Sequence, residues 1–488
     1  MMSEQILVNT TPFETRVAIV DQGTLQEVHI ERASQRGKVG NIYLGKVVRV
    51  LPGMQSAFVD IGLERAAFIH IADLRENRTA RNNGLPQLQI EKILFEGQTI
   101  MVQVIKDAIN NKGARLSNQI SIAGRILVYM PFDNHIGVSQ KIESETDRER
   151  LKELVAQFVP KDEKGGYIIR TQAEMVTEEE IKRDIEYLSL RWKKSQEVVQ
   201  TQPVPCLVYQ DLDLAERVMR DMVHPETSAV EIDSRKAFQH IVEWAKIYTP
   251  EIAHKIKHYS GSKPLFDTAN IEDEINTALS RRVNLKSGGY LVIDQTEALT
   301  SIDVNTGGFV GYRNFNDTIF RTNLEASVEI ARQLRLRNLG GIIIIDFIDM
   351  DNPEHQTAVL DELQKALAKD RTRTSLNGFS PLGLVEMTRK RSRDSLTTLL
   401  AESCPTCEGR GYVRTARTVA YSIMREILRE ARQFNPKEFR LILSPSVLDL
   451  FLDEESNYLA MLDDFIGKPI SLEVDNSYSQ EMYDIVLS

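Results

Sequence analysis

The chain has 488 residues, of which 42% are hydrophobic and 27% charged, and a formal net charge of −10. This length supports several domains with their own cores, and the composition excludes a globally disordered protein. Three cysteines exclude a disulfide framework. The N-terminus, Met1-Met-Ser-Glu-Gln-Ile6, has no basic region followed by an apolar one, and no apolar run is long enough to span a bilayer. Together these predict a cytoplasmic protein without a membrane anchor.

From Ile6 to Arg36, apolar and polar residues alternate around Asp21-Gln-Gly23, a hairpin pattern. Short strands follow at 39–50, 56–61, 66–71 and 100–105, punctuated by Pro52-Gly53, Gly62 and Gly97, which predicts a small closed barrel. Phe58 and Phe68 fall in two successive strands, and Lys112 and Arg115 close the segment. Aromatics on OB-type barrels stack unpaired bases while nearby cations hold the backbone; the alternative is that both rings are core. The polar stretch 75–88 reads as an exposed loop. Tyr167-Ile-Ile169 runs into Arg170-Thr171, a strand end carrying a cation and a hydroxyl that suit a phosphate. Thr177-Glu-Glu-Glu180 is a capping box opening a helix through Arg191. Gln202-Pro-Val-Pro205 marks a break, and 211–282 reads as mostly helical.

Next comes a strand, strand, helix (317–338), strand (342–347), helix order, a layered α/β unit. Asn338-Leu-Gly-Gly341 is a helix stop, and Asn352-Pro353 an N-cap with proline at the first helical position. Asp303, in Ser301-Ile-Asp-Val-Asn-Thr-Gly307, and Asp346, ending Gly340-Gly-Ile-Ile-Ile-Ile-Asp346, each sit in or after an apolar run. A carboxylate there is costly unless it is paired, hydrogen-bonded or bound to a cation. Two carboxylates with Asn305 beside one offer only oxygen ligands, which favour Mg²⁺ or Mn²⁺ over Zn²⁺ and leave room for phosphate oxygens. Asn305 is placed to orient a carboxylate, and Gly307-Gly308 to let backbone approach a ligand. The bland alternative is that each aspartate caps a turn. Arg371-Thr-Arg373 and Arg389-Lys-Arg-Ser-Arg393 raise the odds of a phosphate-rich ligand against that of a solvated basic face. No Gly-x4-Gly-Lys loop or Gly-x-Ser-x-Gly elbow is present, which argues against a P-loop NTPase and an α/β-hydrolase.

Cys404-Pro-Thr-Cys407, followed by Glu-Gly-Arg-Gly411, has the spacing of half a tetrahedral zinc site. Cys206 cannot complete a four-thiolate site alone, so the arithmetic points to zinc shared by two chains. A redox pair is the rival, but it needs a strand-to-helix setting. A helix at 419–432 and strands at 439–443 and 470–474 predict a small α+β tail domain.

Gly40-Asn-Ile-Tyr-Leu-Gly45, Val59-Asp-Ile-Gly62, Ser301–Gly307, Asn338–Asp349, Gly383-Leu-Val-Glu-Met-Thr-Arg389 and Cys404-Pro-Thr-Cys407 together resemble the RNase E/G endoribonucleases. Within them the chain resembles the short, G-type members, without the long extension that scaffolds degradosome partners. The resemblance covers nearly the whole chain and implies a multidomain α/β and α+β fold. An RNase H-like subdomain (1–36 and 211–279) is interrupted by an OB-fold barrel of the ribosomal S-one type (37–118) and a 5′-phosphate sensor (119–210). A DNase I-like catalytic subdomain (280–400), a zinc link (401–415) and a small α+β dimerisation domain (416–488) follow. It further implies that Asp303 and Asp346 hold a catalytic Mg²⁺ (Mn²⁺ as the alternative) and that Asn305 orients the site. Cys404 and Cys407 would share a structural Zn²⁺ between protomers of a homodimer. Gly124, Val128, Arg170, Thr171 and Arg373 would bind an RNA 5′-monophosphate, and Phe58, Phe68 and Lys112 single-stranded RNA. The implied activity is Mg²⁺-dependent endonucleolytic hydrolysis of single-stranded, AU-rich RNA, leaving 5′-phosphates, in rRNA 5′-end maturation and mRNA decay. The rival readings are a non-catalytic RNA-binding scaffold and a metal-dependent phosphatase or DNase.

Overall fold

The hairpin at Asp21 forms as its sequence predicts, with Gln22 and Gly23 both left-handed at φ of 50° and 77°. That turn matches the twist of the strands it joins, Glu14–Asp21 and Thr24–Arg32. The computed structural model describes residues 4–487 except 83–85, 87, 109–112, 141, 143, 161–162, 174–175, 225, 308–314, 392 and 435. The described chain divides into two units, Met1–Leu396 and Thr397–Ser488.

In the first unit, Gln5–Thr10 pairs with Glu14–Asp21 on one side and in parallel with Ala229–Ile232 on the other. The result is a five-stranded sheet closed at its far edge by Ile256–His258. Its strands come from two distant segments, 5–32 and 229–258. Helices dominate 211–282 as read, but two strands within it were missed. These strands, of four and three residues, are too short to show a period; the first is fixed by pairing with Gln5–Thr10 and the second by pairing with the first.

The strands Ile42–Leu51, Ser56–Asp60, Ala67–His70, Arg115–Ser117 and Thr99–Lys106 pair in that order, and the last closes back on the first. The interior is filled by alternate residues, among them Val47, Val59, Ile69, Val102 and Leu116. The stretch read as a loop begins with a helix, Arg75–Asn82, whose first backbone N–H donates to Asn118 Oδ1 at 2.6 Å.

The second half of this unit carries a six-stranded sheet. Its order is Arg282–Asn284, Tyr290–Gln295, Leu299–Asn305, Gly341–Asp346, Leu384–Arg389, Thr374–Phe379. One face packs Leu291, Ile302, Val304, Ile343 and Ile345 against Ala326, Ile330 and Leu334 of helix Phe315–Leu336 and Val359 and Leu363 of helix Pro353–Leu367. Burial of that apolar face is the main stabilising term. The first helix stops as predicted. Asn338 is left-handed at φ 49°, its N–H donates to Arg335 O, and the Leu339 N–H donates to Leu334 O, a Schellman motif. Asn352 caps the second helix by accepting from the Glu354 N–H at 2.9 Å.

The Thr177–Glu180 capping box is present, and its helix runs ten residues beyond the predicted end, to Thr201. In the second unit, helix Ala416–Gln433 packs on strands Phe439–Leu443, Ile470–Val474 and Tyr483–Leu487. The last strand was not foreseen. No helix among the described residues is long and apolar enough to cross a membrane.

Candidate metal centre and RNA-contact sites

Strand Leu299–Asn305 lies parallel to Gly341–Asp346, and the register sets Asp303 directly opposite Asp346. Neighbouring strands run about 4.8 Å apart, so the two carboxylates share one face. Alternation decides which: Ile302, Val304 and Ile345 point into the core, and Asp303 and Asp346 point to the open face, both exposed. The burial cost attached to them from sequence is therefore small. Asn305 Nδ2 donates to Asp303 Oδ2 at 2.8 Å, which fixes one oxygen and leaves the other free to turn outward. Partial burial, the Asp303 charge and the Asp349 charge raise the Asp346 pKa. Like charges held this close favour a cation between them, and the all-oxygen donor set suits Mg²⁺. Asp349 was not singled out from sequence, although it ends the same motif.

The loop after Asp346 is held from behind. Asn323, fully buried on the first helix, donates from Nδ2 to Ile348 O at 2.8 Å and accepts from the Ile348 N–H at 3.2 Å. Asn323→Leu leaves two buried backbone groups unpaired, so the melting midpoint is expected to fall by an amount equivalent to about 2–4 kcal/mol; an unchanged melt contradicts this role.

Gly307 is required by the fold. At φ 66°, a Cβ there would lie 2.4 Å from Gly288 O. Gly308 lies outside the described residues. In the basic run Arg389 is buried, whereas Lys390, Arg391 and Arg393 are exposed. Arg389 is buried against Asp370 at 2.7 Å, Arg391 donates to Gly340 O, and Arg393 contacts the buried His29. These contacts join segments of the fold, and the buried Arg389 is spent on Asp370.

Gly124, Val128, Arg170 and Thr171 gather at one end of the four-stranded sheet that includes Leu127–Met130 and Gly166–Ile169. Arg170 Nη1 donates to Gly124 O at 2.6 Å and to Asp221 Oδ1 at 3.0 Å. The loop 124–127 is moulded on Asp184, whose carboxylate accepts the N–H groups of Arg125, Ile126 and Leu127 at 2.8–3.0 Å. Gly124 is required because a Cβ would sit 2.5 Å from both Asp184 oxygens. Burial raises the Asp184 pKa against the pull of those three donors and Arg170. Arg373 is exposed just before strand Thr374–Phe379. Its neighbour Arg371 reaches Met222 O and His224, next to Asp221.

On the barrel, Phe58 and Phe68 are direct cross-strand partners and point outward between buried Ala57, Val59, Ala67 and Ile69. They are therefore not core. Register extends the row to Arg49 beside Phe58, Arg115 beside Phe68, and Lys106 beside Arg115. A pair of rings flanked by cations suits stacked bases and their phosphates. Arg49 and Lys106 were missed from sequence because only the pairing aligns them. Lys112 lies outside the described residues.

Cys404 and Cys407 lie in a run of turns ahead of helix Ala416–Gln433, not at a strand-to-helix junction. Backbone N–H groups of Cys407 and Thr406 aimed at its sulfur lower the Cys404 pKa. The Glu408 N–H donates to Cys404 O at 2.7 Å, and Glu408 and Gly409 are left-handed. Arg410 and Arg414 both pair with Glu481, tying the turn to the strand Tyr483–Leu487 that follows.

The Ribonuclease E/G family model matches residues 121–392, the S1 RNA binding domain model matches 37–118, and the RNase E/G thioredoxin-like domain model matches 403–487. The chain is 52% identical to Ribonuclease G of Salmonella typhimurium (strain SL1344) over 100% of both chains. Ribonuclease G of Haemophilus influenzae is 50% identical, again over 100% of each. Ribonuclease E of Escherichia coli (strain K12) is 39% identical over 93% of this chain but only 43% of that protein. The chain belongs to the ribonuclease E/G family, and it is more similar to these G-type relatives than to ribonuclease E.

Proposed function

We propose that the chain is a cytoplasmic endoribonuclease that hydrolyses single-stranded, AU-rich RNA with Mg²⁺. It acts faster on RNA with a 5′-monophosphate, serves rRNA 5′-end maturation and mRNA decay, and works as a zinc-linked homodimer. The observation that carries the reading is the register of Asp303 opposite Asp346 on an open sheet face, in a chain of this family.

Asp303 and Asp346 would hold the metal, and Asn305 keeps Asp303 turned to it. Bound there, Mg²⁺ supplies Lewis-acid polarisation of the scissile phosphate and a lowered pKa for water. The outward rings of Phe58 and Phe68 stack bases, and Arg49 and Lys106 hold the backbone, while Arg115 beside them is fastened to Asp73. Water oxygen bonds to phosphorus, the bond from phosphorus to O3′ breaks, and the proton ends on O3′. The products carry a 5′-phosphate and a 3′-hydroxyl. Arg170, Thr171 and Arg373, with the backbone at Gly124 and Val128, take a terminal monophosphate through charge-assisted bonds.

Two experiments test this. Cleavage of RNA strands ending in 5′-monophosphate, triphosphate or hydroxyl is compared with that of a DNA strand of the same sequence. Fastest cleavage of the monophosphorylated RNA supports the reading; equal cleavage of DNA contradicts it. In the second, Phe58→Ala with Phe68→Ala is expected to weaken single-stranded RNA binding by about 1–3 kcal/mol per lost stack, read by fluorescence anisotropy at fixed salt. Unchanged affinity removes these rings from the RNA path.

A further inference from the structure

The short helix Leu214–Asp221 ends in a turn on which four arginines converge. Arg220 grips Asp221 through Nε at 3.1 Å and Nη2 at 2.8 Å, and its Nη1 donates to Ala123 O at 3.1 Å. Arg170 Nη1 donates to Asp221 Oδ1 at 3.0 Å. Arg125 Nη2 donates to Val223 O at 3.5 Å. Arg371 Nη2 donates to Met222 O at 3.3 Å and, since a guanidinium only donates, His224 Nε2 accepts from it at 2.8 Å. The free carbonyls and negative dipole end of a helix favour this gathering of cations.

The orientation of Arg170 gives the turn its meaning. Among the described residues every contact of its guanidinium uses Nη1, and none takes Nε or Nη2. The carboxylate thus anchors one corner of the guanidinium and leaves the other two donor positions for a ligand. Burial raises the Asp221 pKa, but the bonds from Arg220 and Arg170 outweigh it and hold the carboxyl below its usual range, so the anchor stays ionised. Arg371, two residues before Arg373, is fastened to the same turn from the segment that leads into the catalytic sheet.

We propose that the turn Asp221–His224 is the positioning element of the 5′-phosphate site. Asp221 aims Arg170 at the terminal phosphate, and His224 and Met222 dock the segment bearing Arg373 beside it. This rests on the reading of Arg170 and Arg373 as 5′-phosphate ligands, and it adds residues that touch neither RNA nor metal.

The test is the ratio of cleavage rates on 5′-monophosphorylated and 5′-hydroxyl RNA of one sequence, measured with the full chain. Asp221→Asn and His224→Leu are each expected to lower that ratio by about tenfold, as for a misplaced binding group. His224→Gln, which keeps an acceptor where Nε2 stands, should restore it. Simple electrostatics predicts the opposite for Asp221→Asn, because removing a negative charge beside Arg170 should tighten phosphate binding. A ratio that rises in Asp221→Asn therefore overturns the proposal. Arg170→Ala is run in parallel. If Arg170→Ala loses the preference while Asp221→Asn and His224→Leu keep it, the proposal fails and the 5′-phosphate reading stands. If the unmutated protein shows no preference, both fail.

Discussion

Asp303→Asn is expected to lower Mg²⁺-dependent RNA cleavage by about 10²–10³-fold, the loss seen when one stabiliser of transition-state charge is removed. Asp346→Asn should do the same. Both side chains are exposed on the open face of the sheet, and asparagine is isosteric, so folding should be untouched. The rings and cations of the barrel row lie on other strands, so RNA binding should persist. Cleavage measured at saturating RNA separates these effects: a reduced turnover with an unchanged melting midpoint and RNA affinity fits the metal assignment. Full activity in either variant removes that residue from the chemistry.

Cys404→Ser with Cys407→Ser is expected to abolish zinc binding and convert a dimer to monomers. Two backbone N–H groups point at the Cys404 sulfur, which lowers its pKa. Two thiolates are half of a tetrahedral set, and Cys206 is paired into the barrel sheet opposite Leu44. One zinc per two chains is the expected content. Structural zinc sites bind with about 10–16 kcal/mol in peptides, enough to decide an association. Sedimentation with metal analysis reads both quantities. An unchanged sedimentation profile in the double variant refutes the shared ion.

Most of the elements were legible because their patterns are local. Alternation in 42–51 and 56–60, the capping box at Thr177, and the stop at Asn338 each depend on neighbours in sequence. The two aspartates were legible as candidates, but their meeting was not. It follows from the parallel register of two strands separated by a long helix. The same holds for Asp221, fifty-one positions from its partner Arg170, and for Arg49 and Lys106, aligned with the rings only by strand pairing. Arg389 itself misled for a related reason. A cluster of positive residues shows charge, not which charges are spent, and the partner that consumes Arg389 is Asp370, nineteen residues back. Short strands such as Ala229–Ile232 and Ile256–His258 carry too few residues to declare a period, and their long-range partners make them.

We propose that this chain cuts RNA internally by metal-assisted hydrolysis at Asp303 and Asp346. The most direct measurement is to incubate the protein with an internally labelled single-stranded RNA in Mg²⁺ and in chelator, and to determine the chemistry of the new ends. The account predicts cuts only with the metal, each leaving a 5′-phosphate and a 3′-hydroxyl. Cleavage that survives chelation, or ends carrying a 2′,3′-cyclic phosphate, would contradict it.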